Sequence, residues 1–201
     1  MGKRIITVSR QFGSGGRVIA KRIAECLGYP YYDRDLVRQI ALEGGLAESF
    51  VLESGEYACS SSEFLFNLEI NVASPFSNHL PLSDQLYLVQ YKVIRQIAEE
   101  GPCVILGRCS DYVLRDRDDC LHTFFHADTA FRIGRITNLY REDKCEPEKR
   151  LKETDRKRET YYNHYTGGKW GAAQNYHVSL DSGALGIERC AGIVIDLASN
   201  A

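Results

Sequence analysis

The chain opens with a pattern that predicts a strand, a glycine-rich turn and a helix in immediate succession. Residues 5–9 are Ile-Ile-Thr-Val-Ser, a short β-branched run typical of a buried parallel strand. Residues 13–16 are Gly-Ser-Gly-Gly, and apolar residues then recur every four positions from Ile19 to Leu27. At such a turn the exposed N–H groups converge and the helix dipole favours negative charge. The opening unit therefore predicts an anion site whose natural ligand is phosphate.

The glycine turn by itself leaves two interpretations open, because glycines also allow tight packing of a strand against a helix. The usual phosphate-binding spacing, G-x-x-x-x-G-K-[ST], is absent. With Gly15 as the second glycine, Gly16 takes the lysine position and Val18 lies one residue beyond the hydroxyl position. Arg17 is the nearest cation, and we expect its longer side chain to bring the forked guanidinium group to a phosphate in place of the lysine. Without the hydroxyl ligand, Mg²⁺ would be held mainly by phosphates and water.

Composition excludes several classes of protein. The 201 residues, 44% hydrophobic and 26% charged, indicate a single soluble domain with a hydrophobic core rather than a disordered chain. A net charge of −2 argues against a nucleic-acid coat or a polybasic membrane binder. No apolar run approaches the roughly 18 residues of a membrane span and no signal peptide is evident, so we expect a cytoplasmic protein. The seven cysteines are scattered without a C-x-x-C pair, which predicts neither a disulfide framework nor a metal site.

Charge is divided unevenly along the chain. No Lys or Arg occurs between Arg38 and Lys92, whereas seven acidic residues do. From Arg132 to Arg158 the chain has ten basic and six acidic residues, which gives this segment a net charge of +4. The acidic segment can hold a phosphate only through Arg38 or through residues outside it. This division predicts separate roles for the two segments.

The remaining patterns alternate between strands and helices. Asp33 is placed to cap a helix that begins after it, and residues 44–81 predict irregular helices. Further helices are predicted at about 84–100, 130–140, 147–164 and 187–197, and further strands at about 103–106, 121–126 and 177–180. This α/β order predicts a parallel sheet with helices on both faces.

Several segments, in order over nearly the whole chain, carry a family resemblance. They are Ile6-Thr7-Val8-Ser9, Gly13 to Arg17, Tyr32-Asp33, Gly107-Arg108, Arg132 with Arg135, Asp155-x-x-Arg158 and Leu180-Asp181-Ser182. As an ordered set they resemble bacterial cytidylate kinases, and most closely the cytidylate kinase-like group that has the same lysine-less glycine loop. The resemblance implies the P-loop nucleoside monophosphate kinase fold as a single domain over 1–201. Within it, the core would span about 1–38 and 92–201, an acceptor-binding insert about 39–91 and a short lid about 136–147.

The resemblance also implies the reaction, in which ATP with Mg²⁺ donates a phosphoryl group to CMP or dCMP. The phosphates of ATP would be held by the glycine turn, through Gly13, Ser14, Gly15, Gly16 and Arg17. Phosphoryl transfer asks a protein mainly to position two substrates and to neutralise charge on the equatorial oxygens. The resemblance assigns that neutralising role to Arg132 and Arg135, which share one face of a predicted helix.

Acceptor-side roles fall by the same resemblance on Asp33, Arg38, Arg108, Cys109, Asp155 and Arg158. Asp155 would meet the acceptor sugar and Arg158 its phosphate. Arg108 follows a buried strand, at the edge of the sheet where ligands bind in open α/β folds, and would also meet the acceptor phosphate. Cys109 stands where cytidylate kinases usually have an acidic residue directed at the base, so the identity of the base stays open. The charged positions also fit solvated helix faces or ordinary surface ion pairs.

Three hypotheses for function follow. The leading one is a nucleoside monophosphate kinase whose partners are small nucleotides. A second is a catalytically weakened P-loop protein that binds a nucleotide and regulates a partner, and the missing lysine motivates it. A third keeps the kinase fold but changes the acceptor to another small molecule, as the segment without basic residues and Cys109 would allow. The sequence leaves the oligomeric state open under all three hypotheses.

We predict that Arg17→Ala reduces phosphoryl transfer far more than it reduces the free energy of unfolding. A loop arginine that faces phosphate contributes little to the hydrophobic core, whereas it neutralises charge in the transition state. Steady-state transfer rates and urea unfolding of the same two proteins measure both effects. Unchanged activity in the variant would show that Arg17 does not stand in for the lysine.

Overall fold

A five-stranded parallel sheet forms the centre of the computed structural model, which describes residues 3–54, 81–140 and 146–200. The strands are β1 (Ile5–Arg10), β2 (Tyr31–Tyr32), β3 (Cys103–Leu106), β4 (Cys120–His126) and β5 (Val178–Asp181). Their spatial order is β2-β3-β1-β4-β5, and every neighbouring pair is parallel. The first strand of the chain therefore lies in the middle of the sheet, where its carboxyl end is surrounded by protein.

Helices connect these strands in the alternating order that the sequence predicts. They are α1 (Gly16–Leu27), α2 (Arg34–Gly44), α3 (Glu48–Ser54), α4 (Leu82–Glu100), α5 (Ser110–Val113), α6 (Thr129–Tyr140), α7 (Pro147–Thr166), α8 (Ser182–Leu185) and α9 (Ile187–Asn200). A short 3-10 turn at Ala173–Asn175 precedes β5. None of the described helices is both long and apolar enough to cross a membrane.

Strand β1 is buried on both faces and divides the core into two layers. Ile5 packs with α2 and α4 on one side, whereas Ile6 and Val8 pack with α1 and α9 on the other. A run of apolar residues without alternation is what a central parallel strand needs, since helices cover both of its faces. The predicted α/β sheet with helices on both faces is confirmed.

Two local expectations differ from the structure. Strand β2 was not predicted, because two residues are too few to show a period. Asp33 does stand at the N-cap of α2, but its side chain makes no capping hydrogen bond and instead pairs with Arg17, with 2.7 Å between Oδ2 and Nη2. A nearby guanidinium offers the carboxylate a charged partner that the helix N–H groups do not.

The division into core, insert and lid stays a prediction. Helix α4 runs without a break through residue 92, where the insert was expected to end. Residues 55–80 of the expected insert and 141–145 of the expected lid lie outside the described residues.

A pair of stacked histidines lies within the sheet. The ring of His122 on β4 is buried, its Nδ1 lies 2.9 Å from Thr7 Oγ1, and its centroid lies 4.9 Å from that of His177. The backbone N–H of His122 donates to Nδ1 of His177 at 2.9 Å. Burial above all, and then the positive charges of His177 and Lys3, lower the pKa of His122 from 6.5 to about 4.

We predict that this pair makes the protein less stable in mild acid. Folded His122 stays neutral while the unfolded chain takes up a proton near its ordinary pKa, so the free energy of unfolding falls as pH drops from 6.5 towards 4. The loss reaches about 3 kcal/mol at the lower end. Urea unfolding across this range should show a much flatter pH dependence in His122→Asn, whose amide can still contact Thr7. Replacement of the exposed His164 by Gln serves as the control, and an equally flat profile there would contradict the assignment.

Candidate active site

The loop between β1 and α1 owes its shape to glycines. Gly13 and Gly15 have φ angles of 81° and 86°, in the left-handed region that favours glycine. A Cβ on Gly13 would lie 2.9 Å from the carbonyl oxygen of Arg132, and one on Gly15 would lie 2.9 Å from Cδ1 of Ile187. Gly15 also caps α1, whose first N–H groups have no acceptor within the helix. Backbone conformation and close packing therefore both require these two glycines.

Ser14 holds the loop from within. Its side chain is buried, its Oγ donates to the carbonyl of Gln11 at 2.9 Å and accepts from the N–H of Gly16 at 3.4 Å. The carbonyl of Ser14 accepts a hydrogen bond from Ser182 Oγ at 2.5 Å, which ties the loop to the start of α8. The predicted role of Ser14 towards a phosphate stays a prediction, and in the structure its hydroxyl bonds to the loop itself.

Charged side chains from α6 and α7 form hydrogen bonds with the backbone at the start of the loop. Asp155 Oδ1 accepts from the N–H of Phe12 at 2.7 Å, and Arg132 Nε donates to the carbonyl of Phe12 at 2.8 Å. Arg132 Nη2 also pairs with Asp155 Oδ2. One turn further along α7, Arg158 Nη1 donates to the carbonyl of Arg10 at 2.9 Å. Three residues that the sequence assigned to the reaction thus contact the loop backbone directly.

A cleft opens beside this loop. It is lined by Arg10, Gln11, Phe12, Gly13, Gly15, Gly16, Arg17, Val18, Arg135, Ile136 and Arg158. Four of these residues are arginines and none is acidic, so the cleft carries a concentrated positive charge. Nε of Arg135 is buried and has no hydrogen-bond partner among the described residues. Such a donor is costly to bury unless an anion completes its hydrogen bonds.

Arg17 lies at the outer edge of the cleft. Its side chain is 54% exposed and pairs with Asp33, so the structure joins a predicted donor-side residue to a predicted acceptor-side residue. Tyr31 OH donates to the same carboxylate at 3.4 Å. Burial and the neighbouring Asp33 raise the pKa of Tyr31, so its hydroxyl keeps its proton.

Of the six predicted acceptor-side residues, only Arg158 lines the described cleft. Asp33 and Asp155 pair with Arg17 and Arg132, and the other three lie elsewhere. Arg38 is exposed on α2 and pairs with Asp35. Arg108 is only 4% exposed: its Nη1 donates to Gln90 Oε1 at 3.2 Å, and Gln90 Nε2 donates back to its carbonyl at 3.0 Å. Cys109 is buried in an aromatic cluster with Tyr161, Tyr162, Tyr87, Tyr112, Tyr165 and Trp170. Their roles towards an acceptor stay predictions.

Within the described ranges, no group of three or more His, Cys, Asp or Glu side chains is placed to hold a metal ion. The position that usually supplies a hydroxyl ligand is occupied by Arg17, and Ser14 Oγ is engaged with Gln11. The expectation that Mg²⁺ is held mainly by phosphates and water stays a prediction.

Sequence reasoning missed two residues that matter here. Arg10 lines the cleft, and its place at the carboxyl end of a predicted strand, directly before the glycine turn, was the available signal. Phe12 was missed because its contribution is a backbone N–H and carbonyl, which no side-chain pattern reveals.

The arrangement of strand, glycine loop and arginine-lined cleft agrees with a comparison of the sequence against protein families. The model of the cytidylate kinase-like family matches residues 5–184. The chain belongs to the cytidylate kinase-like family. This cytidylate kinase-like protein is, by family and fold, a P-loop kinase and hence a phosphotransferase.

Solved structures with the same fold are distant in sequence from this cytidylate kinase-like protein. An uncharacterized protein from Eubacterium ventriosum ATCC 27560 is similar over 98% of this chain and 99% of its own, with a TM-score of 0.73 and 22% identity. Shikimate kinase from Bacteroides thetaiotaomicron follows with a TM-score of 0.57, 12% identity and coverage of 97% and 98%. A gluconokinase from Sinorhizobium meliloti 1021 has a TM-score of 0.53, 15% identity and coverage of 98% and 95%. No curated protein sequence matches the chain significantly.

We predict that Asp155→Ala destabilises the protein by about 3 kcal/mol, because it removes the acceptor of the Phe12 N–H and leaves the guanidinium of Arg132 buried without its charge partner. Urea unfolding measures the loss. Asp155→Asn, which keeps an acceptor oxygen, should lose less. The matched control is Glu159→Ala, an exposed carboxylate on the same helix, with an expected change within about 0.5 kcal/mol. Equal effects of the two alanine variants would contradict the structural role of Asp155.

Proposed function

We propose that this P-loop kinase transfers the γ-phosphoryl group of ATP, bound as its Mg²⁺ complex, to CMP or dCMP. The observation that carries the proposal is the cleft itself, where a glycine loop and helix N-terminus meet four arginines and no carboxylate. Arg135, whose buried Nε has no hydrogen-bond partner among the described residues, lines the same cleft. Triphosphate is the polyanion that this combination suits.

The donor would lie with its phosphates along the glycine loop. The N–H groups at the start of α1 bind phosphate oxygens, and the positive φ angles of Gly13 and Gly15 turn the backbone towards them. Mg²⁺ supplies charge neutralisation between phosphates when it arrives with ATP. Arg135 and Arg158, which reach the cleft from α6 and α7, neutralise the charge that spreads over the transferring group.

The reaction then needs no general base from the protein. A phosphate oxygen of the acceptor attacks the γ-phosphorus, the bond from that phosphorus to the β–γ bridging oxygen breaks, and ADP leaves with the electron pair. The attacking oxygen of a phosphate monoester is already deprotonated near neutral pH, because its second pKa is about 6. This chemistry agrees with the site, because the carboxylate of Asp155 already accepts a hydrogen bond from the N–H of Phe12 and pairs with Arg132.

A second candidate is a kinase of a small molecule that accepts the phosphoryl group on a hydroxyl. The observation in its favour is that two cations expected to hold an acceptor phosphate are engaged elsewhere, Arg38 with Asp35 and Arg108 with Gln90. A hydroxyl acceptor must lose a proton, and Asp33 beside Arg17 is a carboxylate at the edge of the cleft. Because a shikimate kinase and a gluconokinase have this fold, shikimate and gluconate are the first hydroxyl acceptors to test.

We predict that, in a coupled assay with ATP and Mg²⁺, the protein releases ADP when CMP or dCMP is the acceptor. UMP, AMP, shikimate and gluconate are each tested as acceptors in separate reactions. Asp33→Asn separates the candidates, because loss of a general base lowers kcat for a hydroxyl acceptor, whereas loss of a binding contact with a nucleotide mainly raises its KM. Turnover with shikimate or gluconate alone would favour the second candidate. ATP binding by calorimetry without any turnover would instead favour a nucleotide-binding regulatory protein.

Arg135→Ala tests the site independently of the acceptor. The variant should lower kcat by about 100-fold to 1,000-fold, as removal of one preorganised donor does in other transferases. Its free energy of unfolding should change by less than about 1 kcal/mol, since Arg135 makes no hydrogen bond to the loop backbone among the described residues. Arg156→Ala, an exposed arginine on α7, is the control and should leave both quantities unchanged. Full activity in Arg135→Ala would remove the main support for the proposed site.

A further inference from the structure

The position that carries the lysine in standard phosphate-binding loops has no room for a side chain. A Cβ on Gly16 would lie 2.6 Å from Cβ of Arg10 and 2.9 Å from its Cγ. Separations this short do not occur between real carbon atoms without a shift of the backbone. The stem of Arg10 thus occupies the start of the path that a lysine at position 16 would follow.

Arg10 is held in a rigid part of the protein. It is the last residue of β1, pairs in register with Phe125 of the neighbouring β4, and is only 6% exposed. Its carbonyl accepts the hydrogen bond from Arg158 that anchors the loop. Arg10 nevertheless lines the cleft, together with the glycines of the loop. A cation on a central strand is positioned more firmly than one on a surface helix.

Arg17, the cation nearest to the lysine position in the sequence, lies on helix α1 and not on a central strand. It is more than half exposed and ion-paired with Asp33. An exposed ion pair is weakened by solvent, so it positions the guanidinium of Arg17 less firmly than burial on a strand positions Arg10. Gly16 and Arg10, by contrast, are complementary: where one has no side chain, the other fills the space.

We propose that Arg10 is the phosphate-binding cation of this loop. In standard phosphate-binding loops that cation is a lysine at the start of the helix, whereas Arg10 lies at the end of the preceding strand. The proposal rests on the proposed function, since it takes the β- and γ-phosphates of ATP as the anion. The guanidinium would donate two parallel hydrogen bonds to phosphate oxygens, where a lysine would act as a single point charge. Arg10 and Gly16 then act together, because the absence of a side chain at Gly16 leaves room for the side chain of Arg10.

The first experiment compares Arg10→Ala, Arg10→Lys and Arg17→Ala with the unaltered protein. Calorimetry gives the affinity for ATP with Mg²⁺, and steady-state assays separate kcat from KM. We expect Arg10→Ala to weaken ATP binding about 10-fold to 100-fold and to lower kcat at saturating ATP by at least about 100-fold. Arg10→Lys should recover part of both, because it keeps the charge and loses the fork. Arg22→Ala, an exposed arginine of α1 paired with Glu188, is the control and should match the unaltered protein.

The second experiment returns the lysine to its usual place. Gly16→Lys alone should be inactive or unstable, because its Cβ collides with Arg10. The double variant Arg10→Gly/Gly16→Lys removes that collision and should exceed Arg10→Gly in ATP affinity by at least about tenfold. Thermal unfolding of each variant shows whether it is folded. Arg10→Lys keeps the aliphatic stem beside Gly16, and it keeps the proposal testable where Arg10→Ala and Arg10→Gly do not fold.

Different outcomes separate the inference from the function on which it rests. Unchanged ATP affinity and kcat in Arg10→Ala, with a large loss in Arg17→Ala, would assign the role to Arg17 and overturn the proposal while the kinase stands. A folded double variant no better than Arg10→Gly would also overturn it. If the unaltered protein neither binds ATP with Mg²⁺ nor releases ADP from it, the proposed function fails and the inference fails with it.

Discussion

The glycine loop depends on hydrogen bonds between its backbone and charged side chains that arrive from far along the chain. The N–H and carbonyl of Phe12 are bound by Asp155 and Arg132, and the carbonyl of Arg10 is bound by Arg158. A loop rich in glycine is entropically costly to order, and its irregular backbone has no ladder to satisfy its polar groups. Hydrogen bonds with a charged partner, each contributing about 1.5–3 kcal/mol, offset that cost. The shape of the anion site follows from these few contacts.

The same contacts place positive charge at the cleft. Arg158, which binds the loop, and Arg10, which ends the central strand, both line the cleft, whereas Arg132 is paired with Asp155. Cations gathered in this way repel one another unless an anion joins them, so a ligand that brings phosphates adds stability to the folded state. Loop support and the charge of the cleft are therefore coupled, because Arg158 both holds the backbone of the loop and lines the cleft.

The side of the molecule expected to hold the acceptor is organised differently. Gln90 forms hydrogen bonds with Arg108 in both directions, and Tyr161 OH donates to the same amide oxygen at 3.4 Å. Tyr87 and Tyr165 stack nearby with centroids 4.1 Å apart. A buried network of this kind rigidifies its surroundings but leaves few free donors. Family membership establishes a kinase, while the acceptor stays a proposal.

Much of the fold could be predicted from the sequence, because its signals are local. Helix α1 and strand β3 begin and end where the apolar period and the flanking glycines indicate. The alternating order of elements, the positive charge between Arg132 and Arg158 and the glycine turn before a helix likewise required no tertiary information. Short elements such as β2 escaped, since two residues carry no period.

The tertiary structure alone decided what these residues touch. Asp155 reaches Phe12 across 143 positions of sequence, and Arg10 fills the space beside Gly16 only because β1 and α1 fold back on each other. Asp33 stands at the start of a helix, as its residue type predicts, yet binds Arg17 because the sheet order brings β2 near the loop. Sequence determines which residues can form strands, turns and charged surfaces, since those depend on near neighbours. Which charge meets which backbone atom depends on distances between elements, and those exist only in the folded chain.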